Sequence, residues 1–352
     1  MNPAQPTATG PPASNPPARP HWFVMWGWMV TLGLLLGIAA PVWLILIDGK
    51  GLKPSIGDGE NVDSYRFDLS NLTVPQHLVV AAGVPRNYWP ALTDPRAVAI
   101  DMVPQFSSMQ GKFLVPSDIV IGVAINGQAR AYPLRIVLWH EVVNDTLGGV
   151  PIVVTHSGHT GSMAVFDRTI GGEVLTFAGS GLLYNANLLL FDQRDDHESE
   201  SLWSQLAFQP IAGPAVTRGD KLMPRPCVVT NLERWQARHP DSTVIRGDAK
   251  YGDKRYNTSP RAPDSLIYPV EPLPDADTTL DPRGLVVARS DAAGTWIVTP
   301  WHSPKTDLGA PPIDLKPEDF APITQPTVHA RWFAWHAFHA ADSRIIGGSK
   351  QP

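Results

Sequence analysis

The sequence contains little cysteine and little charge, and both shortages narrow the classes of function it can serve. Cys227 is the single cysteine among 352 residues, so the chain can form no internal disulfide and offers no cysteine-based zinc site. Charged residues make up 17% of the chain, and the formal net charge is −5. Because no basic field exists to attract phosphates, we expect no nucleic-acid partner.

Several common enzyme signatures are also missing. The sequence contains no phosphate-binding loop, no dinucleotide fingerprint and no haem motif. The Gly179-Ser180-Gly181 run lacks the complete Gly-x-Ser-x-Gly pattern of a hydrolase nucleophile elbow. By contrast, 36 prolines and 29 glycines are present, and this abundance favours many turns and little long helix.

One long apolar segment stands near the N-terminus. Residues 22–47 contain no Asp, Glu, Lys or Arg. As a helix this run would be roughly 39 Å long, enough to cross a bilayer core of about 30 Å. Trp22, Trp26 and Trp28 crowd one end, as aromatic side chains do at the lipid–water interface. We therefore predict a single transmembrane helix over residues 22–47, with the membrane itself as a partner.

The remaining domain boundaries follow from composition. Residues 1–21 are rich in Pro, Ala, Thr and Ser and predict a disordered tail. Residues 48–77 are expected to form a linker, and residues 78–348 a sheet-rich globular domain. We expect a single-pass protein of the cell membrane with this globular body on the extracytoplasmic side.

Short β-prone runs and few helical patterns predict an α+β fold with a predominantly antiparallel β-sheet body. Runs over 119–125 and 128–132 flank Asn126-Gly127, a pair typical of a tight hairpin. A second hairpin is predicted from 162–167 and 173–177, around two glycines.

Two short helices are predicted within this body. Apolar residues at helical spacing indicate the first, over 133–143. The second, over 231–239, is expected to be capped by Thr230 and ended by Pro240.

A dense polar cluster follows the first predicted helix. His140, Glu141, Asn144 and Asp145 fall within six residues and are the candidate catalytic residues. Imidazole can act as a base near neutral pH, and a neighbouring carboxylate can orient it. The alternative is structural: His140 would be a hydrogen-bonded residue of the fold, and the Asn-Asp pair would close a turn.

The next loop carries His156-x-x-His159 after an apolar strand. Two imidazoles three residues apart, with His140 as a third ligand, could hold a divalent metal such as Zn or Cu as the cofactor. The alternative is an exposed loop without metal, since the spacing fixes no fourth ligand.

Four long runs, in this order and spacing, carry a family resemblance. They are Val-Ile-Gly-Val-Ala-Ile-Asn-Gly-Gln-Ala-Arg-Ala-Tyr-Pro-Leu-Arg (120–135), Trp-His-Glu-Val-Val-Asn-Asp (139–145), Ser-Gly-Leu-Leu-Tyr-Asn-Ala-Asn-Leu-Leu (180–189) and Ser-Leu-Trp-Ser-Gln (201–205). The chain resembles the family catalogued as domain of unknown function 3179, most strongly from about residue 95 to residue 250. The resemblance implies a grouping but no activity.

The chain departs from that family at one motif. The resemblance implies a Cys-Pro-x-Cys pair whose cysteines would fall on Ser157 and Thr160. Hydroxyl groups cannot perform thiol–disulfide exchange. This loss favours a binding or assembly module with a degenerate ancestral site and a membrane or periplasmic protein partner. The retained Trp-His-Glu run supports the alternative, a metal-dependent or acid/base enzyme that uses the His/Glu cluster.

Overall fold

The computed structural model describes Met29 and residues 55–104, 114–248, 256, 266–275, 280–301 and 324–346. The chain divides into two units, Met1–Pro54 and Ser55–Pro352, and every strand and helix given below belongs to the second. The predicted tail and transmembrane helix lie outside the described residues, apart from Met29. Within the described residues, no helix is both long and apolar enough to span a bilayer.

The described part of the second unit consists mainly of short strands. In chain order they are β1 (Val79–Ala81), β2 (Leu92–Thr93), β3 (Ala97–Ala99), β4 (Ile119–Ile125), β5 (Gln128–Pro133), β6 (Val142–Leu147), β7 (Val150–Ser157), β8 (Ser162–Asp167), β9 (Thr169–Ile170), β10 (Glu173–Val174), β11 (Phe177–Tyr184), β12 (Asn187–Asp192), β13 (Leu202–Ser204), β14 (Gln209–Ala212), β15 (Val228–Asn231), β16 (Thr243–Ile245), β17 (Leu285–Ser290), β18 (Trp296–Pro300), β19 (Thr327–Arg331) and β20 (Ser343–Ile345).

The helices of this unit are short. The α-helices among the described residues are α1 (Leu134–His140), α2 (Pro214–Arg218), α3 (Leu232–Arg238) and α4 (Trp332–His339). Single 3-10 turns are found at Val62–Tyr65, Gln76–Leu78, Ile100–Met102 and His197–Ser199.

The strands form three larger sheets and one two-stranded ribbon. The largest sheet has eight strands in the order β2-β6-β7-β8-β19-β17-β18-β20. The two five-stranded sheets have the orders β15-β4-β5-β16-β3 and β1-β11-β12-β13-β14, and β9 pairs with β10. Most neighbours are antiparallel, while β2/β6, β5/β16 and β18/β20 are parallel. The prediction of a mainly antiparallel body with few short helices is therefore confirmed.

The eight-stranded sheet is buried on both faces. Successive residues of β7 alternate between two hydrophobic clusters: Val154 packs with residues of β4, β5 and α1, whereas Val153 packs with residues of β11, β12 and α4. Because side chains alternate sides along a strand, each face of this sheet covers one core. This sandwiched position explains why its strands are apolar on both sides.

The predicted hairpin around Asn126-Gly127 is confirmed. β4 and β5 pair in antiparallel register from Val120↔Pro133 to Ile125↔Gln128. Both turn residues have positive φ, 49° at Asn126 and 78° at Gly127, as the tight mirror-image turn requires.

The helix predicted over 133–143 ends earlier than expected. It stops at His140 because Glu141 has φ 59° and ψ −33°, outside the helical region. The next two residues, Val142 and Val143, belong to β6. Apolar spacing alone could not separate the last helical turn from the first strand residues.

The second predicted hairpin is wrong in its pairing. β8 pairs with β7 and β19, and Gly171-Gly172 instead joins the two-residue strands β9 and β10. The predicted helix over 231–239 is confirmed as α3. However, the Asn231 side chain, rather than Thr230, caps it by accepting a hydrogen bond of 2.9 Å from the Arg234 amide.

Candidate functional site

A cavity of about 220 Å³ lies where the end of α1, the end of β7 and the strands β11 and β12 approach the segment that follows β1. Glu141, Ser157 and His159 contribute polar groups to its wall. Apolar side chains form most of the remaining surface, from Val84, Pro85, Trp89, Leu138, Leu182, Leu183 and Leu188. A concave, mainly apolar space with a few polar groups is the usual form of a small-molecule site.

The backbone of Glu141 is held on both sides. Its amide donates to the Val137 carbonyl at 2.8 Å and so closes α1, while its carbonyl accepts from the His156 amide at 2.8 Å. Between these bonds the residue adopts φ 59° and ψ −33°, a conformation that costs on the order of 1–3 kcal/mol for a residue with a Cβ. The strained conformation turns the side chain out of the helix and into the cavity.

The Glu141 carboxyl lacks a partner within the described part of the chain. Among the described residues, no hydrogen bond and no ion pair reaches it, and burial raises its pKa from 4.5 to about 7. The opposite wall is the backbone of Gly179, where an added Cβ would lie 3.0 Å from Glu141 Oε2. Glycine at this position therefore leaves the space that the carboxyl occupies.

His159 and Ser157 face the same cavity. The His159 ring packs edge-on against Tyr268, with centroids 4.9 Å apart, and burial lowers the pKa of the imidazole. Ser157 Oγ accepts a hydrogen bond of 3.2 Å from the Leu188 amide. The site thus combines a carboxyl, a neutral imidazole and a hydroxyl.

His140 supports the cavity wall and does not face the cavity. Its Nδ1 donates to the Pro90 carbonyl at 2.6 Å, and its Nε2 lies 2.8 Å from Tyr256 Oη. Burial lowers the pKa of His140, so the ring is neutral and its Nε2 accepts from the tyrosine hydroxyl. The bond to Pro90 fixes the segment that carries Trp89, whose ring packs on Trp139 at 5.2 Å.

The other two candidate catalytic residues hold strands together. Asn144 clamps the backbone of Phe177: its Nδ2 donates to the carbonyl at 2.8 Å, and its Oδ1 accepts from the amide at 2.9 Å. Asp145 Oδ2 accepts from Arg130 at 2.6 Å and from Tyr132 Oη at 2.7 Å. Both side chains are buried and hydrogen-bonded, so they support the fold, but they do so from within β6 and do not close the turn that the structural alternative predicted.

The three histidines predicted as metal ligands are distributed over different environments. His159 faces the cavity, both ring nitrogens of His140 are hydrogen-bonded, and His156 shares one face of β7 with Val154, although burial, and then the charge of the nearby His159 ring, lower its pKa. The described ranges contain no group of three or more His, Cys, Asp or Glu side chains placed to hold a metal.

Sequence reasoning missed two parts of this site. The segment from Ala82 to Trp89 forms one wall, although its sequence carries no catalytic motif. Gly179 and Gly181 belong to a stretch of β11 where the register with β12 shifts. Such irregularities often re-aim side chains beside functional sites. The glycine spacing in 179–181 was the available signal.

Comparison with known proteins adds a family but no activity. The family model described as "Protein of unknown function (DUF3179)" matches residues 87–296, which is more than half of the 352 residues. The matched segment contains Glu141, Ser157, His159 and Gly179. No curated protein and no solved structure gives a significant match to the chain.

Proposed function

Since the chain belongs to the DUF3179 family, whose description carries no function, we propose its function from the site: it is an acid–base enzyme acting on a small, uncharged and largely apolar molecule. The carboxyl of Glu141 is the proton donor and acceptor. A single observation carries the proposal, namely a carboxyl without a partner among the described residues, directed into a cavity by a strained backbone.

An unpartnered, half-buried carboxyl weakens a fold. Transferring a polar group from water without a compensating hydrogen bond costs roughly 1–3 kcal/mol in proteins, and more when the group is charged. The backbone strain at the same residue adds to that cost. Neither the unpaired carboxyl nor the backbone strain improves the packing of the fold. Together they place a reactive group against a cavity that can hold a small ligand.

The pKa of Glu141 supports the same role. At a value of about 7, protonated and ionised forms are both populated near neutral pH. A catalytic acid or base works best when its pKa lies near the working pH. The carboxylate can therefore accept a proton from a bound molecule, and the acid form can return it.

The cavity wall indicates the class of ligand. Its side chains are mainly apolar, and among the described residues that line it no Lys or Arg offers a charge partner to an anion. The neutral His159 imidazole and the Ser157 hydroxyl can hydrogen-bond a carbonyl or hydroxyl group. At about 220 Å³ the space suits a molecule smaller than the usual drug-sized ligand.

Deuterium exchange tests this proposal directly. The full chain is incubated in D₂O with a panel of small uncharged ketones and esters, and deuterium incorporation or hydrolysis is followed by mass spectrometry. We expect turnover with the wild type and with Glu233→Gln, an exposed carboxyl on α3, and loss of turnover with Glu141→Gln. Equal turnover by Glu141→Gln and the wild type would overturn the proposal.

The second candidate function is a membrane-anchored binding or assembly module. It is favoured by the residues at the positions where the family resemblance implies cysteines: Thr160 Oγ1 lies 2.9 Å from Ser162 Oγ and accepts from Asn187 Nδ2 at 2.9 Å. A hydroxyl built into a buried network serves packing and performs no thiol chemistry. Saturable binding of a panel compound without turnover, unchanged in Glu141→Gln, would select this function.

The membrane anchor belongs to the proposal as well. We infer from the apolar run that residues 22–47 span the bilayer and that the globular body lies on the extracytoplasmic side. Protease added to spheroplasts, whose inner membrane is intact and whose outer surface is accessible, should then digest the body, whereas protection of the body until the spheroplasts are lysed would contradict this orientation.

A further inference from the structure

Three side chains with metal-binding atoms stand side by side on one face of the eight-stranded sheet. His156 on β7 is the direct register partner of Met163 on β8, and Met163 is the direct partner of His329 on β19. Directly paired residues of antiparallel strands point to the same face. The sheet therefore places a thioether between two imidazoles.

Both imidazole rings are buried, and one nitrogen of each lacks a hydrogen bond within the described part of the chain. His156 is 5% exposed, His329 is 3% exposed, and the Nδ1 atom of each ring has no hydrogen bond among the described residues. Buried polar side-chain atoms are usually satisfied, so two orphaned nitrogens flanking one residue require an explanation. An ion between them would supply it.

The surroundings favour a soft cation of single charge. Thioether sulphur is a weak ligand for hard ions but suits Cu(I), and imidazole nitrogen also binds copper. Burial, and then the nearby positive charge of Arg289, lower the pKa of His329 to about 3, so its ring is neutral. The same positive charge penalises a divalent ion more than a monovalent one.

We propose that His156, Met163 and His329 form a binding site for Cu(I). Adjacent strands lie about 4.8 Å apart, so the two histidines flank the methionine at roughly that distance on either side. Rings that lean over the thioether can then meet one ion together with the sulphur atom. The Trp301 ring packs edge-on against His329 at 5.3 Å and shields this side of the site.

The three proposed Cu(I) ligands do not include a residue of the proposed acid–base site, although burial, and then the charge of the nearby His159 on the cavity wall, lower the pKa of the His156 ring. β7 directs His156 to one face and Ser157, which lines the cavity, to the other. Glu141→Gln should therefore bind Cu(I) as the wild type does, and the failure of one proposal leaves the other untouched.

Competition with a chromogenic chelator tests the site. The full chain in detergent is titrated with Cu(I) against bicinchoninate under ascorbate. We expect one Cu(I) per chain in the wild type and in Met223→Leu, whose side chain is exposed. In Met163→Leu, a nearly volume-conserving change, affinity should fall at least about tenfold, the lower end of what losing even an outer-shell partner costs.

Two further measurements keep the test decisive. Cys227→Ser should retain Cu(I), because the buried thiol, which contacts the Thr327 carbonyl at 3.4 Å, is outside the proposed ligand set. X-ray absorption at the copper edge of the wild type should show two nitrogens and one sulphur, even if Met163→Leu fails to fold. Absence of stoichiometric Cu(I), or loss of binding in Cys227→Ser with retention in Met163→Leu, would overturn the proposal.

Discussion

Glu141 and Asp145 are four residues apart in the chain, yet their carboxyl groups have opposite environments. Asp145 is buried and accepts hydrogen bonds from Arg130, from Tyr132 Oη and from the Thr146 amide. Glu141 receives none from the described residues and faces a cavity. A carboxylate whose two oxygens both accept hydrogen bonds from the protein holds a fold together, whereas one that accepts none is available to a ligand. Four substitutions can break or sharpen this contrast.

The largest expected effect is the loss of stability on substitution of Asp145, the hydrogen-bonded carboxylate. Asp145→Ala removes the anion that faces the Arg130 guanidinium, whose side chain is 16% exposed, and the acceptor of the buried Tyr132 hydroxyl. Removing one partner of such a pair should lower the free energy of unfolding by about 3 kcal/mol or more. Urea denaturation of the full chain checks this loss. An unfolding free energy equal to that of the wild type would show that Asp145 has no structural role.

Substitution of Glu141 should change the free energy of unfolding in the opposite direction. The pKa of Glu141 is raised from 4.5 in the unfolded chain to about 7 in the folded protein. Ionisation is thus harder in the folded state, so wild-type stability falls as the pH rises from about 4.5 to about 7 and is constant above. The amide of Glu141→Gln does not ionise, so this variant should be more stable than the wild type at pH 8 by up to about 3 kcal/mol.

The pH dependence supplies the control for that prediction. Near pH 4 the carboxyl is protonated in both states, and Glu141→Gln should then match the wild type. Glu233→Gln, at an exposed position of α3, should differ little from the wild type at either pH. A Glu141→Gln protein that is less stable than the wild type at pH 8 would mean that the carboxylate has a stabilising partner.

A smaller effect on stability is expected from a substitution at Gly179, whose backbone faces the Glu141 carboxyl across the cavity. In Gly179→Ala the new Cβ would lie 3.0 Å from Glu141 Oε2, so the carboxyl must move. Crowding of this kind should cost about 1 kcal/mol of stability and reduce turnover by more than the stability loss explains. Gly172→Ala serves as a control for adding a methyl group, since its Cβ would meet nothing within 4 Å, although its φ of 84° adds local strain. Full turnover in Gly179→Ala would show that the close approach of residue 179 to the Glu141 carboxyl does not matter for activity.

Local patterns predicted the fold better than they predicted the site. The Asn126-Gly127 hairpin and α3 depend on neighbouring residues, and both were recognisable from the sequence. The roles of His140 and Glu141 depend on Pro90, Tyr256 and Gly179, which are distant in the chain. The sequence singled out both residues, but spacing could not show that the histidine is fully bonded while the adjacent glutamate is free.

The pairing of β8 shows the same limit. Two glycines at 171–172 predicted that Ser162–Asp167 would fold back on the following run, yet its partners are β7 and β19, the latter more than 150 residues away in the chain. Burial on both faces removed the alternation that usually sets register. The row of His156, Met163 and His329 follows from this distant pairing and has no signature in the sequence.

The smallest expected effect on turnover tests whether His140 only supports the cavity wall or takes part in the proton transfer. Tyr256 Oη lies 2.8 Å from His140 Nε2 and also accepts from the Asp248 amide at 2.9 Å. Tyr256→Phe removes both contacts and should cost about 2 kcal/mol in the free energy of unfolding, roughly 1 kcal/mol for each hydrogen bond. If His140 only supports the wall, turnover in the D₂O assay should fall no further than this loss predicts, and the pKa of Glu141 should not move. A large fall in turnover with unchanged stability would instead place His140 in the proton pathway.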